Sequence, residues 1–197
     1  MSRPLQLRFV LSADDMDRLP DNRTEVAVVG RSNVGKSSLI NAISNRNSLA
    51  KVSKTPGRTQ LLNCFELEGE EGVALIDCPG YGYAAVPQKV RASWQRMIET
   101  YLIERDQLAM ILVIVDGEIG PTKLDVQLLD WLRANVRPHT VIATKHDKVK
   151  SSARDKRKRE VAAACNLEPS DVVWVSSTKG TGIERLRDLV RLWLGVS

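Results

Sequence analysis

Short β-branched runs alternate with stretches of helical period along most of the chain. The segment Glu25-Val26-Ala27-Val28-Val29, closed by Gly30, is the first such run, and 73–76, 110–115, 140–143 and 171–175 follow it. Their nearly unbroken apolar character predicts strands covered on both faces, as in a parallel sheet. Residues 61–67 add a sixth strand. Between the runs, apolar positions recur at helical spacing: Val90, Trp94, Met97, Ile98, Tyr101 and Leu102; Leu124, Leu128, Trp131 and Leu132; Ile183, Leu186, Val190, Trp193 and Leu194. Thr181 with Glu184 three residues on predicts a capping box on the last of these helices. The alternation predicts an α/β fold with a six-stranded, mostly parallel sheet flanked by helices. Residues 1–23 read as an N-terminal extension. A brief helix is expected there, started by Ser12 and the acids Asp14 and Asp15 and stopped near Pro20. Residues 24–197 show no internal repeat and no linker, which predicts one domain.

Composition acts mainly by exclusion. The 197 residues suit one domain of ordinary to large size. The longest apolar run, 108–115, falls far short of the roughly 20 residues that cross a bilayer. Polar residues interrupt the first eight positions, which argues against a secretory signal. Cys64, Cys78 and Cys165 form no C-x-x-C pair, so neither a disulfide framework nor a zinc site is expected, and a cytoplasmic location fits. Lys and Arg number 29 against 24 Asp and Glu, a net charge of +5 that points to a polyanionic partner.

The chemistry begins directly after the first strand. Gly30-Arg31-Ser32-Asn33-Val34-Gly35-Lys36-Ser37 spells G-x-x-x-x-G-K-[ST] in full. The glycines let the backbone curl so that successive N–H groups converge on phosphate oxygens. The helix expected to start near Lys36 aims its positive end at the same place. Lys36 is expected to reach the β- and γ-phosphates, and the Ser37 hydroxyl to ligate Mg²⁺. With glycine at about 7% of residues, a chance match in such a chain is on the order of 1%, and a strand before with a helix after lowers that further.

Two further strand ends fall in phase with this loop. Asp77-Cys78-Pro79-Gly80 closes the run 73–76. An acid at the tip of a parallel strand suits a water-mediated Mg²⁺ contact, and Gly80 is placed to donate its N–H to a γ-phosphate. Thr144-Lys145-His146-Asp147 closes the run 140–143. A carboxylate there accepts two hydrogen bonds from the N1–H and exocyclic amine of guanine. Adenine has no matching donor pair, so Asp147 is expected to reject it. The Lys145 stem is expected to lie over the base, with His146 turned away. Ser176-Ser177-Thr178-Lys179 is expected to supply backbone N–H groups to the guanine oxygen. Each of these strings is a commonplace turn in isolation and gains weight only from its register with the phosphate loop.

The order G-x-x-x-x-G-K-S, Thr59, D-x-P-G, T-K-x-D, S-S-T resembles the TrmE-Era-EngA-EngB-septin-like translation-factor GTPases. The longer strings, from Gly30 through Ser38-Leu39 and Lys54-Thr55-Pro56-Gly57-Arg58-Thr59-Gln60, resemble the EngB (YihA/YsxC) family of bacterial ribosome-biogenesis GTPases over nearly the whole chain. That resemblance implies a single Ras-like P-loop domain that binds GTP·Mg²⁺ and hydrolyses it slowly. Lys36, Thr59 and Gly80 would then serve catalysis. Ser38 and residues Gly57, Arg58, Thr59, Gln60 and Leu61 would border the nucleotide, with Thr59 joining Ser37 on Mg²⁺. It also implies binding of the 50S ribosomal precursor and a link to cell division and septation.

Some positions depart from the general pattern. Thr144 stands where most GTPases have Asn, and loss of the amide is expected to loosen the phosphate-loop contact. Ser177 replaces the usual Ala. Asp116-Gly117-Glu118 lacks an arginine common at this point among relatives. Tyr81 occupies the place of the glutamine that orients the attacking water in Ras-like enzymes, which argues for slow intrinsic hydrolysis completed by a partner or a monovalent cation. Asn33 resembles the asparagine of potassium-dependent relatives, which marks it as a K⁺ ligand candidate. Lys148, Lys150, Arg154, Lys156, Arg157, Lys158 and Arg159 crowd one segment. Alone it reads as a solvated helix face, and with the resemblance as a ribosomal RNA contact; Lys51, Lys54 and Arg58 would couple that contact to the nucleotide. Two rival readings are another P-loop enzyme, such as a nucleotide kinase or ATPase, and an RNA-associated scaffold with a vestigial nucleotide site.

Overall fold

The first β-branched run becomes strand β2 (Thr24–Gly30), which sits between two parallel neighbours, β4 (Val73–Asp77) and β5 (Leu108–Asp116). β6 (His139–Thr144) and β7 (Val172–Trp174) continue the parallel array beyond β5. On the other side, β3 (Leu62–Leu67) runs antiparallel to β4. The computed structural model describes residues 3–50, 61–82 and 88–197. Lys51, Lys54, Gly57, Arg58, Thr59 and Gln60 lie outside the described residues, as does the side chain of Trp94.

Among the described residues the sheet has seven strands, ordered β1-β3-β4-β2-β5-β6-β7, and not the expected six. The additional strand, β1 (Leu7–Ala13), comes from the residues read as an extension. It pairs antiparallel with β3, from Leu7 opposite Leu67 to Ala13 opposite Leu62. Leu7 and Ala13 are buried, while Phe9 is half exposed with its edge against the Phe65 ring at 5.8 Å. The Ser12 hydroxyl donates to Asn63 Oδ1 at 2.6 Å, and Arg8 pairs with Glu66. The partner strand lies some fifty residues away, so nothing local in the sequence announced the pairing. The helix expected here shrinks to one 3₁₀ turn, Met16–Arg18, capped by the Asp15 carboxylate and not by Ser12.

Alternation within the central strands divides the core. Val26 and Val28 of β2, with Leu112 and Ile114 of β5, face α1 (Lys36–Ser44) and α5 (Ile183–Leu194). Ala27, Val29, Ile111, Val113 and Val115 face α2 (Gln88–Glu104), α3 (Lys123–Ala134) and α4 (Arg154–Ala164). Helix α5 starts after Gly182, which takes a left-handed conformation with no side-chain cap. The helix thus begins one position later than expected and the Thr181–Glu184 capping box does not form; the Thr181 carbonyl accepts the Ser176 N–H at 2.9 Å. At the opposite end of the sheet from the phosphate loop, the fully buried Glu25 is held by Arg105 at 2.7 and 3.0 Å, the Tyr101 hydroxyl at 2.9 Å and the Asn22 amide at 2.7 Å. A carboxylate without water is tolerable only when so fully paired. Among the described residues no helix is long and apolar enough to cross a membrane.

Candidate functional site

From β2 the chain goes to β3 and β4 on one side of the sheet and then crosses to β5 on the other. The carboxyl ends of these strands therefore flank the switch point where ligands bind in open α/β sheets. Gly30 ends β2 there. A Cβ on Gly30 would meet the Ile114 carbonyl oxygen at 2.8 Å and Val34 Cγ1 at 3.0 Å, so only glycine fits. The loop then rises through Arg31, Ser32 and Asn33, with Asn33 in a left-handed conformation (φ 64°), and returns at buried Val34. Gly35, at φ 109°, turns the chain into α1 without a side-chain cap, so the first amides of α1 keep the orphan donors that suit an anion. Lys36 is nearly buried and donates from Nζ to the Gly30 carbonyl at 3.3 Å, which folds its ammonium back over the loop. Ser37 and Ser38 are half-buried in the first turn of α1.

Thr144 does not loosen the loop as its identity suggested. Its hydroxyl is shared between the Val34 carbonyl at 2.7 Å and the Val115 carbonyl at 3.1 Å, so a hydroxyl fills the tethering place of the absent amide.

Asp77 ends β4 buried, opposite Asn63 of β3. Its Oδ1 has no hydrogen-bond partner. Burial pushes its carboxyl up to about 6, against the opposing pull of Lys36 and of a hydrogen bond from Asn63. A buried, unpartnered carboxylate oxygen beside the phosphate loop fits a hydrated divalent cation, which would supply the missing hydrogen bonds. The N–H of Cys78 continues the sheet to the Val28 carbonyl at 3.0 Å, and burial raises its thiol far above the ordinary range, so Cys78 packs and does not react. Pro79 and Gly80 are buried. Gly80 lies against the loop so closely that a Cβ would come within 2.8 Å of Ser32 Oγ and 2.9 Å of its Cα.

At the end of β6, Asp147 is half-buried, and its Oδ1 accepts the Ser176 hydroxyl at 2.6 Å. That bond is the main reason its carboxyl sits below the usual range. Ser176 departs from its expected part. Its N–H is donated to Thr181 and its hydroxyl aims Asp147, which leaves the amides of Ser177 and Thr178 for a guanine oxygen. Lys145 Nζ is drawn to Asp116 Oδ2 at 2.5 Å, while Asp116 Oδ1 accepts the N–H groups of Glu118 at 2.9 Å and Ile119 at 3.3 Å. Asp116, noted in the sequence only for the arginine missing nearby, is thus the anchor that sets the direction of the Lys145 stem. His146 turns away, edge-on to Trp174 at 5.7 Å. Leu61 is exposed where β3 begins. The guanidinium of Arg31 leans out of the loop to Asp125 of α3 at 3.1 Å. Asp125 was missed in the sequence, although Thr122-x-x-Asp125 before a helical period spells a helix start.

A glycine-rich loop feeding an uncapped helix, an acidic β4 tip and a buttressed carboxylate at the β6 tip together define a Ras-like GTPase domain. Known proteins agree. Residues 25–145 match the family model described as 50S ribosome-binding GTPase. The probable GTP-binding protein EngB of Pelotomaculum thermopropionicum is 42% identical over 191 residues, covering 96% of each chain. A crystal structure of a probable GTP-binding protein engB superposes with a TM-score of 0.71 at 24% identity over 87% of this chain and 99% of that one. The NFeoB of S. thermophilus, solved with GDP·AlF₄⁻ and K⁺, superposes at 0.60 with 22% identity over 85% of this chain and 60% of that one. The chain belongs to the EngB family of GTP-binding proteins and is a GTPase.

Proposed function

We propose that the chain is a nucleotide-controlled switch in assembly of the 50S ribosomal subunit. The observation that carries this reading is the match of residues 25–145 to a 50S ribosome-binding GTPase family, and the basic segment supports it. Lys148, Lys150, Lys156 and Arg159 are exposed on and just before α4, while Arg157 and Lys156 share Glu160 at 3.2 and 3.9 Å. Ammonium and guanidinium groups without buried partners there suit an RNA backbone. In this reading Gly30 to Ser38 cradle the phosphates, and Ser37 and Thr59 ligate Mg²⁺, with Asp77 holding its water. Gly80 and Thr59 turn the presence of a γ-phosphate into loop order. Asp147, Lys145, Ser177 and Thr178 take the guanine. The metal supplies charge neutralisation at the reacting phosphate. Intrinsic hydrolysis is slow because Tyr81 offers no carboxamide to orient water. The protein acts in the cytoplasm, and defects in division and septation follow from its loss.

Co-sedimentation with 50S particles tests the switch. Pelleting is expected with a non-hydrolysable GTP analogue and not with GDP, and equal pelleting in both contradicts the reading. Replacing Lys150 and Arg159 by Ala should flatten the log–log salt dependence of that binding by about one unit per lost phosphate contact. Exposed Asn33 is the K⁺ ligand candidate, a view supported by the K⁺ in the NFeoB structure. Faster hydrolysis in KCl than in NaCl is expected, and equal rates refute it. Turnover by the intact chain, with and without 50S particles, separates a switch from a scaffold with a vestigial site.

A further inference from the structure

Asp125, the third residue of α3, is fully buried, yet no nucleotide motif contains it. Its Oδ1 accepts the Tyr81 hydroxyl at 2.8 Å. Its Oδ2 accepts Arg31 Nε at 3.1 Å, the Thr122 N–H at 2.7 Å and the Thr122 hydroxyl at 2.8 Å. One carboxylate therefore ties the start of α3 to the phosphate loop and to the segment that follows Gly80. The same two segments also meet through the main chain. The Ser32 N–H donates to the Tyr81 carbonyl at 3.1 Å, and Arg31 and Tyr81 form a parallel bridge that carries the β2–β4 pairing beyond the strand ends. Just beyond, Gly82 turns at φ 78°, where a Cβ would stand 3.1 Å from Leu124 of α3.

This arrangement gives Tyr81 a task different from that of the glutamine whose place it occupies. The phenol points to α3. Burial and the neighbouring carboxylate hold it far above its ordinary titration range, so its proton is always there to donate. What the bond fixes is the main chain of residue 81, and with it Gly80, which rests on Ser32 without room for a methyl group.

We propose that Tyr81 is a positioning residue for GTP hydrolysis: its hydrogen bond to Asp125, braced by Arg31, locks Gly80 onto the phosphate loop in register with the γ-phosphate position. The proposal rests on the reading above in which the Gly80 amide faces that phosphate. GDP has no group for Gly80 to meet, so the lock acts on hydrolysis and leaves GDP binding alone.

The test is single-turnover hydrolysis and GDP affinity for the full chain and four variants. Tyr81→Phe, which removes one oxygen and keeps the ring, should slow hydrolysis about tenfold, since a hydrogen bond to a charged group is lost, with GDP affinity within about twofold of the unmodified chain. Asp125→Ala, which leaves the Tyr81 hydroxyl no group to meet, should slow it as well. The Tyr81→Phe/Asp125→Ala double variant should be no slower than Asp125→Ala alone, because the same bond is already cut. Hydrolysis at the unmodified rate in Tyr81→Phe overturns the lock, as does a parallel loss of GDP affinity, which would mark a merely structural bond. If Asp125→Ala does not fold, the Tyr81→Phe result decides alone. Gly80→Ala separates the two claims. Unimpaired hydrolysis there overturns the Gly80 reading itself, whereas an impaired Gly80→Ala beside an unimpaired Tyr81→Phe overturns only the lock.

Discussion

Asp147 and Ser176 stand 29 positions apart in sequence and 2.6 Å apart in space, and in the proposed reading that bond aims the carboxylate that selects the base. Asp147→Asn exchanges an acceptor pair for one acceptor and one donor, which clashes with guanine and suits xanthine. GDP affinity should fall by about 100-fold while xanthosine diphosphate begins to bind, as measured by competition with a fluorescent nucleotide. Ser176→Ala leaves the carboxylate in place but unaimed, and should cost about tenfold in GDP affinity without changing which base is preferred. A different single residue is strained. Val136, at the end of α3, has φ 52° and is 87% exposed. A β-branched side chain in the left-handed region costs about 1–2 kcal/mol, and exposure offers no packing in return. Val136→Gly should therefore raise stability by about 1 kcal/mol in urea unfolding, even after the entropy glycine adds to the unfolded chain.

At the scale of elements, β1 is part of the core although it lies at the sheet edge. Leu7 is completely buried beside Leu5 and Leu67. Leu7→Ala should destabilise the fold by about 2–4 kcal/mol in denaturant unfolding, whereas a loose extension would show no loss. The contrast shows what the sequence made legible. β2, β4, β5 and β6 could be read from their residues because strands covered on both faces are apolar without interruption. The phosphate loop could be read because its geometry demands glycine and lysine at fixed spacing. β1 escaped because half of its residues face water and its partner is distant. Helix α4 could be read only as a solvated face, because Val161 and Ala162 alone are buried along it, too few to set a period against so many charges. The side-chain roles of Ser176, Asp116 and Asp125 escaped for a shared reason: each acts on a group brought near by the sheet order, and no local spacing records such an approach. Thr144 shows the converse, a departure from pattern that the fold absorbs with a hydroxyl.

On the scale of the whole molecule, the sheet order brings three strand ends to one edge of the sheet: β2 with its glycine-rich loop, β4 with Asp77, and β6 followed by Asp147. In the proposed reading phosphate affinity comes from main-chain amides and Lys36, and base discrimination from the Asp147 carboxylate. The two functions are built by different strands and can be separated experimentally. The claim on which the rest depends is that this carboxylate reads guanine. Titration calorimetry of the full chain in Mg²⁺ buffer with GDP and then ADP tests it most directly. The account predicts saturable heat with GDP and none with ADP at the same concentrations. Equal binding of the two nucleotides, or no heat with GDP, would contradict it.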